Sequence, residues 1–199
     1  MAIIMTNLIY KTYSKLFSYP DKELIDLLLS GAISELFKIL NPNDSNFNKI
    51  DKWSKSFNNK HDLLEELQVE YTRLFINTFP TLPAPMYKSF YDDNELFGRS
   101  VGELLDTYEQ YGFEVSEEEN ELPDNLALLL EFVYRLDEEK ISEEKQCDFI
   151  EKFILSWTPK LEIKINENTE LDFYKVLITS LNNFIKEDVN QSKVKLERA

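Results

Sequence analysis

The chain has 199 residues, 43% of them hydrophobic and 30% charged, which is enough for one domain, or one domain with two subdomains. A formal net charge of −15 excludes a nucleic-acid reader, which must replace counterions with Lys and Arg, and argues against anionic membrane surfaces. One cysteine, Cys147, excludes an internal disulfide, and low Gly with abundant Leu, Ile, Glu and Lys excludes a fold built on strands and tight turns.

The apolar residues Leu8, Ile9, Tyr13, Leu16 and Phe17 predict a helix over 7–18, closed by Tyr19-Pro20. Asp21 opens a second helix, 24–29, which stops at Ser30-Gly31. A third, 32–40, stops at Asn41-Pro42, and 43–48 is a polar turn. Phe47, Ile50, Trp53 and Phe57 share one face of a weaker segment. Asp62, with Glu65 three residues on, resembles a capping box for a helix that buries Leu63, Leu64, Leu67, Tyr71, Leu74 and Phe75.

Residues 70–92 then break into a loop holding Pro80, Pro83 and Pro85 and ending in Tyr87, Phe90 and Tyr91. Long loops without secondary structure are functional or disordered, and this one is too aromatic for disorder. It reads as the wall of a binding site.

A further helix runs over 98–112 with Gly112 as its stop, followed by an acidic linker, SEEENE, at 116–121. Leu122-Pro123-Asp124-Asn125 opens a helix whose stripe is Leu126, Leu129, Leu130, Val133 and Leu136. Residues 142–157 form another, broken by Thr158-Pro159. Residues 161–165 alternate and read as a short extended or irregular piece. Thr169 caps a last helix, and the polar tail after Asp188 reads as frayed. The expectation is an all-α fold of roughly eight to ten helices. Its parts are an N-terminal subdomain (1–112), an acidic hinge (113–122) and a C-terminal subdomain (123–199). The N-terminal MAIIMTNLIY lacks a signal peptide's basic region, and no run of about 18 apolar residues occurs, so a cytoplasmic chain is expected.

Little in the chain points to catalysis. His61 is the only histidine, and His61 with Cys147 cannot supply a zinc site or a nucleophile–base pair. Gly98 and Gly102 do not make a phosphate loop. No metal, no cofactor and no catalytic residue is expected, and a binding module fits better than an enzyme.

Several pieces occur in a fixed order. Tyr71-x-Arg73-Leu74-Phe75 is followed by Leu82-Pro83-Ala84-Pro85, Tyr87-x-Ser89-x-Tyr91 and Leu96-Phe97-Gly98. Pro123-Asp124-Asn125-Leu126, Glu131-Phe132, Trp157-x-Pro159 and Phe173-Tyr174 come later. Over residues 8–188 this set resembles the TorD/DmsD/NarJ family of cytoplasmic chaperones for molybdenum-containing oxidoreductases, and the LPAP segment looks most like the DmsD branch. The resemblance implies a non-catalytic helical chaperone that binds a twin-arginine signal peptide. It would hold back a dimethyl sulfoxide or trimethylamine N-oxide reductase-type precursor until its cofactor is inserted. The alternative is a NarJ-like assembly factor for a membrane-anchored nitrate reductase. The implied partners are a leader and an apo-enzyme, and the chaperone itself is a monomer or a domain-swapped dimer. The family commonly has Asp-His where this chain has Asp124-Asn125, and asparagine cannot gain a proton.

A twin-arginine leader has a cationic end and an apolar segment, so its site needs carboxylates beside apolar surface. The candidates are Tyr71, Leu74, Phe75, Phe79, Pro85, Tyr87, Ser89, Tyr91, Glu121, Pro123, Asp124 and Asn125. Phe79, Tyr87 and Tyr91 would supply contact area, with Asp124 and Asn125 as the opposing wall. Two plainer readings stand beside this: Tyr71, Leu74 and Phe75 lie on a core stripe, and Asp124 can simply serve a helix N-terminus.

Overall fold

A computed structural model of the chain describes residues 2–40, 46–77, 81–114 and 121–198. Among the described residues it is all-helical, and its only β-pairing is a single bridge. The helices are α1 (Ala2–Phe17), α2 (Lys22–Ser30), α3 (Ala32–Leu40), α4 (Asn46–Ser54) and α5 (Lys60–Tyr71) in the first part of the chain. Then come α6 (Lys88–Asp92), α7 (Ser100–Gln110), α8 (Leu126–Glu138), α9 (Glu143–Ile150), α10 (Thr158–Asn168) and α11 (Asp172–Leu196). α5 and α9 each end in one wide π-turn, Thr72–Ile76 and Glu151–Leu155, closed by Asn77 N–H to Thr72 O (2.7 Å) and Ser156 N–H to Glu151 O (3.2 Å).

The chain forms two compact units. One contains Met1–Phe17, Pro85–Leu161 and Leu181–Ala199. In it α1 packs along α8, burying Ile9, Tyr13, Leu16 and Phe17 with Leu126, Leu129, Leu130, Val133 and Leu136. Burial at three- and four-residue steps puts each stripe on one side of its helix. A run of rings continues this core, with Phe132 lying 4.5 Å from Tyr108, 4.9 Å from Phe113 and 4.7 Å from Phe149.

The other unit contains Ser18–Ala84 and Glu162–Ser180. Asp21 caps α2, its carboxylate accepting from Leu24 N–H at 2.9 Å, and Gly31 ends it at φ 79°, where a side chain would be strained. Phe37 stacks on Phe47 at 3.8 Å. Tyr71, Leu74 and Phe75 are buried, and Tyr174 packs against Phe75 at 5.2 Å and Tyr71 at 6.4 Å. Arg73 grips Glu70 through two hydrogen bonds of 2.7 Å and also donates to the Asn168 carbonyl, while Thr169 donates to Glu70. Burial works against the Glu70 carboxylate, yet Arg73 and Thr169 hold it below its usual pKa.

The structure departs from the sequence-based expectation at five places. The compact units do not follow a division at 113–122, because Tyr108 and Phe113 on one side share a core with Phe132 on the other. The polar turn expected at 43–48 gives way to α4 from Asn46 onward, while residues 43–45 and linker residues 116–120 lie outside the described residues. α5 is capped by Asn59, whose side chain accepts from Asp62 N–H at 2.9 Å, so Asp62 sits inside the helix rather than at its cap. Residues 161–165 are helical: Pro159 starts α10, where its missing N–H costs nothing, and Leu161 and Ile165 are buried four residues apart. The tail is not frayed at Asp188, for α11 runs to Leu196 with Val189 and Ser192 buried. Ser192 and Lys195 both donate to Glu143 (2.7 and 2.8 Å), and Lys193 pairs with Glu151 at 2.7 Å.

Candidate functional site

Seven of the expected site residues, from Tyr87 to Asn125, come together within the first unit. The proline-aromatic loop ends in an extended strand-like stretch, because Pro85 at a buried position removes a backbone donor and fixes φ. That stretch pairs antiparallel with the start of α8 through one bridge, Tyr87 with Asn125. Leu126 N–H donates to Met86 O at 2.9 Å, and Lys88 N–H donates to Asp124 O at 3.2 Å.

Side chains complete the junction. Ser89 N–H, at the start of α6, donates to Asp124 Oδ2 at 2.7 Å. Both residues are buried, Ser89 at 0% and Asp124 at 1% exposure. The Asn125 side-chain oxygen caps α8 by accepting from Ala127 N–H at 2.8 Å. Tyr108 Oη donates to Pro123 O at 2.9 Å, anchoring the segment from α7. Tyr87 Oη donates to Glu121 Oε1 at 2.7 Å, and Leu122 N–H reaches the same oxygen at 3.2 Å. Burial, and then Glu121, push the Tyr87 phenol well above its ordinary pKa.

Two buried atoms of the candidate residues, Asp124 Oδ1 and Tyr91 Oη, have no hydrogen-bond partner among the described residues. Tyr91 stacks on Trp157 at 5.2 Å, and burial raises its phenol pKa. Unpaired buried polar atoms work against the state that buries them.

Among the described residues no open groove separates Tyr87 from the Asp124–Asn125 pair, because the two walls are hydrogen-bonded to each other. Asp124 does not present a carboxylate to solvent, since it is turned inward onto Ser89 N–H. Glu121 is the partly exposed acid of the junction. Pro85 and Pro123 are buried and shape the backbone. Tyr71, Leu74 and Phe75 belong to the core of the other unit, as the stripe reading had it, and Phe79 lies outside the described residues.

One participant was missed from sequence. Lys88 is 6% exposed and pairs with Asp92 one helical turn on, with Nζ 5.6 Å from the centre of the Phe153 ring. The i,i+4 spacing to Asp92 was a usable signal. Ser89 also accepts from Phe97 N–H at 3.0 Å through Oγ, a contact that no local pattern announces.

Among the described residues no helix is long and apolar enough to cross a membrane, and no group of His, Cys, Asp or Glu is arranged to hold a metal ion.

The family model for the nitrate reductase delta subunit matches residues 41–162, which span the whole junction. The TorD chaperone of Vibrio parahaemolyticus serotype O3:K6 (strain RIMD 2210633) is 30% identical, covering 90% of this chain and 91% of that protein. A perchlorate reductase assembly chaperone from Dechloromonas aromatica (strain RCB) is 24% identical over 58% of each chain. The fold matches a crystal structure of a candidate redox enzyme maturation protein from Archaeoglobus fulgidus with a TM-score of 0.61. That match covers 90% of this chain and 93% of the other at 24% identity, a likeness of fold alone.

Proposed function

This chain belongs to the TorD/DmsD/NarJ family of redox-enzyme maturation chaperones, a family without catalysis, and from that premise we propose that it binds the twin-arginine leader of a molybdenum-containing oxidoreductase. The client is of the dimethyl sulfoxide or trimethylamine N-oxide reductase type, held in the cytoplasm until its cofactor is in place.

The observation that carries this reading is the Tyr87–Glu121 hydrogen bond at the edge of the Tyr87–Asn125 bridge. A half-buried phenol and a partly exposed carboxylate are the pair an arginine-bearing peptide needs. A guanidinium competes for Glu121 through two parallel N–H donors, and the displaced Tyr87 offers its ring and hydroxyl to the peptide. The junction is not fully satisfied, since Asp124 Oδ1 has no partner among the described residues, which lowers the cost of opening it. The net charge of −15 draws a cationic leader toward the protein.

The test is saturable binding of a synthetic twin-arginine peptide, followed by calorimetry, with the peptide's arginines replaced by glutamine as the control. Equal heats for both peptides would remove the reading. A NarJ-like role on a membrane-anchored nitrate reductase is the second reading, favoured by the description of the matching family model. It predicts that the client's catalytic subunit is captured from cell extract while no leader peptide binds.

A further inference from the structure

The loop between α6 and α7 contains two non-glycine residues in the left-handed region, Asn94 at φ 58° and Phe97 at φ 57°. Asparagine tolerates that region, whereas a bulky aromatic residue is an outlier there. The surrounding contacts impose it. Asp93 N–H donates to Ser89 O and Ser100 N–H to Asp93 Oδ2, both at 2.8 Å, and Phe97 N–H donates to Ser89 Oγ at 3.0 Å. Gly98 is pressed so close that a Cβ on it would lie 2.4 Å from Asp93 Oδ2, so a side chain does not fit there.

This strain does not bury the ring. Phe97 is 57% exposed and its neighbour Leu96 is 45% exposed. Single exposed apolar residues are ordinary. A strained backbone that holds an aromatic side chain in solvent, next to a second exposed apolar residue, is not, and strain of this kind collects at contact sites. The loop is tied to the candidate junction through Ser89, which takes the Phe97 N–H on its hydroxyl and gives its own N–H to Asp124.

We propose that Leu96 and Phe97 form the contact surface for the apolar stretch of the leader, so that one short loop reads the part of the peptide that Glu121 does not. This rests on the leader-binding reading above. The occupant is a peptide with an apolar core and a cationic end, because the exposed acids beside the pair, Glu95 and the Lys88-paired Asp92, outnumber the one exposed base there, Arg99, and the chain carries −15 overall. The same charge disfavours a second copy of the chain on this surface.

The experiment uses the full chain, Phe97→Gly and Phe97→Asn, two residues that accept the left-handed backbone without the ring. Each is titrated with two labelled peptides: one with paired arginines before a Leu/Ala-rich stretch, the other with that stretch changed to Ser and Gln. The expected result has three parts. The thermal midpoint is equal to or above that of the parent. The apolar peptide binds about tenfold more weakly, as the loss of part of a buried aromatic contact predicts. The polar peptide binds the variants and the parent alike. Parent-like affinity of both variants for the apolar peptide overturns this proposal and leaves the leader reading standing. Failure of the parent to bind either peptide overturns both. A lower midpoint in both variants assigns the ring to folding and overturns the proposal. A parent dimer that both variants convert to monomer in sedimentation does so in favour of a second copy.

Discussion

The main-chain N–H of Ser89 and the carboxylate of Asp124, 35 residues apart, meet at 2.7 Å in a place that water does not reach. This hydrogen bond, with the Tyr87–Asn125 bridge beside it, joins the end of the proline-aromatic loop to the start of α8. Asp124→Ala leaves the Ser89 N–H buried and unpaired and is expected to cost about 2–3 kcal/mol. Asp124→Asn, which keeps an acceptor, should cost less than half of that. Urea denaturation of both variants measures the difference. Two equal values would mean that the Ser89 bond contributes nothing.

Tyr87→Phe removes the hydroxyl bonded to Glu121 and keeps the ring. A loss of roughly 0.5–1.5 kcal/mol in stability is expected. Glu121→Gln keeps a hydrogen-bond acceptor for Tyr87 and removes the charge. For a twin-arginine peptide, it should weaken binding by about three- to tenfold at low salt and flatten the salt dependence. Anisotropy titrations at two ionic strengths decide this, and an unchanged salt slope would place the arginine-binding acid elsewhere.

Removing residues 190–199 tests the last turns of α11. A frayed tail could be cut without effect. Here the cut takes away Ser192, buried at 4% exposure, and the Lys193 and Lys195 partners of Glu151 and Glu143. The ion pairs are exposed and contribute little singly, so most of the expected loss of about 1–2 kcal/mol comes from uncovering the core beneath Ser192. Thermal melts of the shortened chain report it.

Acid stability carries two opposite signs. Burial raises the Asp188 carboxyl pKa, and the hydrogen bond it accepts from Tyr10 Oη at 2.7 Å only partly offsets this. A carboxyl raised in the folded state costs stability when ionised, and the cost fades as pH falls through its folded pKa. Asp188→Asn should therefore melt higher than the parent at neutral pH and lose that advantage in acid. Glu70 behaves in reverse: its folded pKa is lowered, so the stability it supplies is present at neutral pH and is lost as pH falls through that lowered value. Glu70→Gln should melt lower at neutral pH and approach the parent in strong acid. Melting curves between neutral and acid pH test both signs.

The helices were largely legible because their apolar stripes are strong. Leu63, Leu67 and Tyr71 in α5 and Leu126 to Leu136 in α8 fall at helical steps and are buried as read. Residues 161–165 misled because Leu161, Ile163 and Ile165 alternate, which mimics a strand. Ile163 is 57% exposed, and only Leu161 and Ile165 pack inward. The tail misled because its polar residues find long-range partners, and such partners leave no local trace. Among the candidate site residues, the order of motifs picked out two segments, at Tyr87 and at Asn125, that the fold brings against each other. The burial of Asp124 and Lys88 was not readable, because it depends on which backbone N–H or ring the fold brings against them. The exposed strain at Phe97 was hidden for the same reason: Leu-Phe-Gly reads as an ordinary turn until Asp93 and Ser89 are seen to hold it.

The interleaved make-up of the two units bears on when this protein can fold as it leaves the ribosome. α1 is synthesised well before its partner α8, which begins at Leu126, and Tyr10 waits for Asp188, 178 residues later. The second unit likewise lacks residues 162–180 until nearly the whole chain has emerged. Neither core can close on a partial chain, and contacts of such long sequence separation close slowly. A chain built this way leaves apolar surface uncovered until α11 has been made.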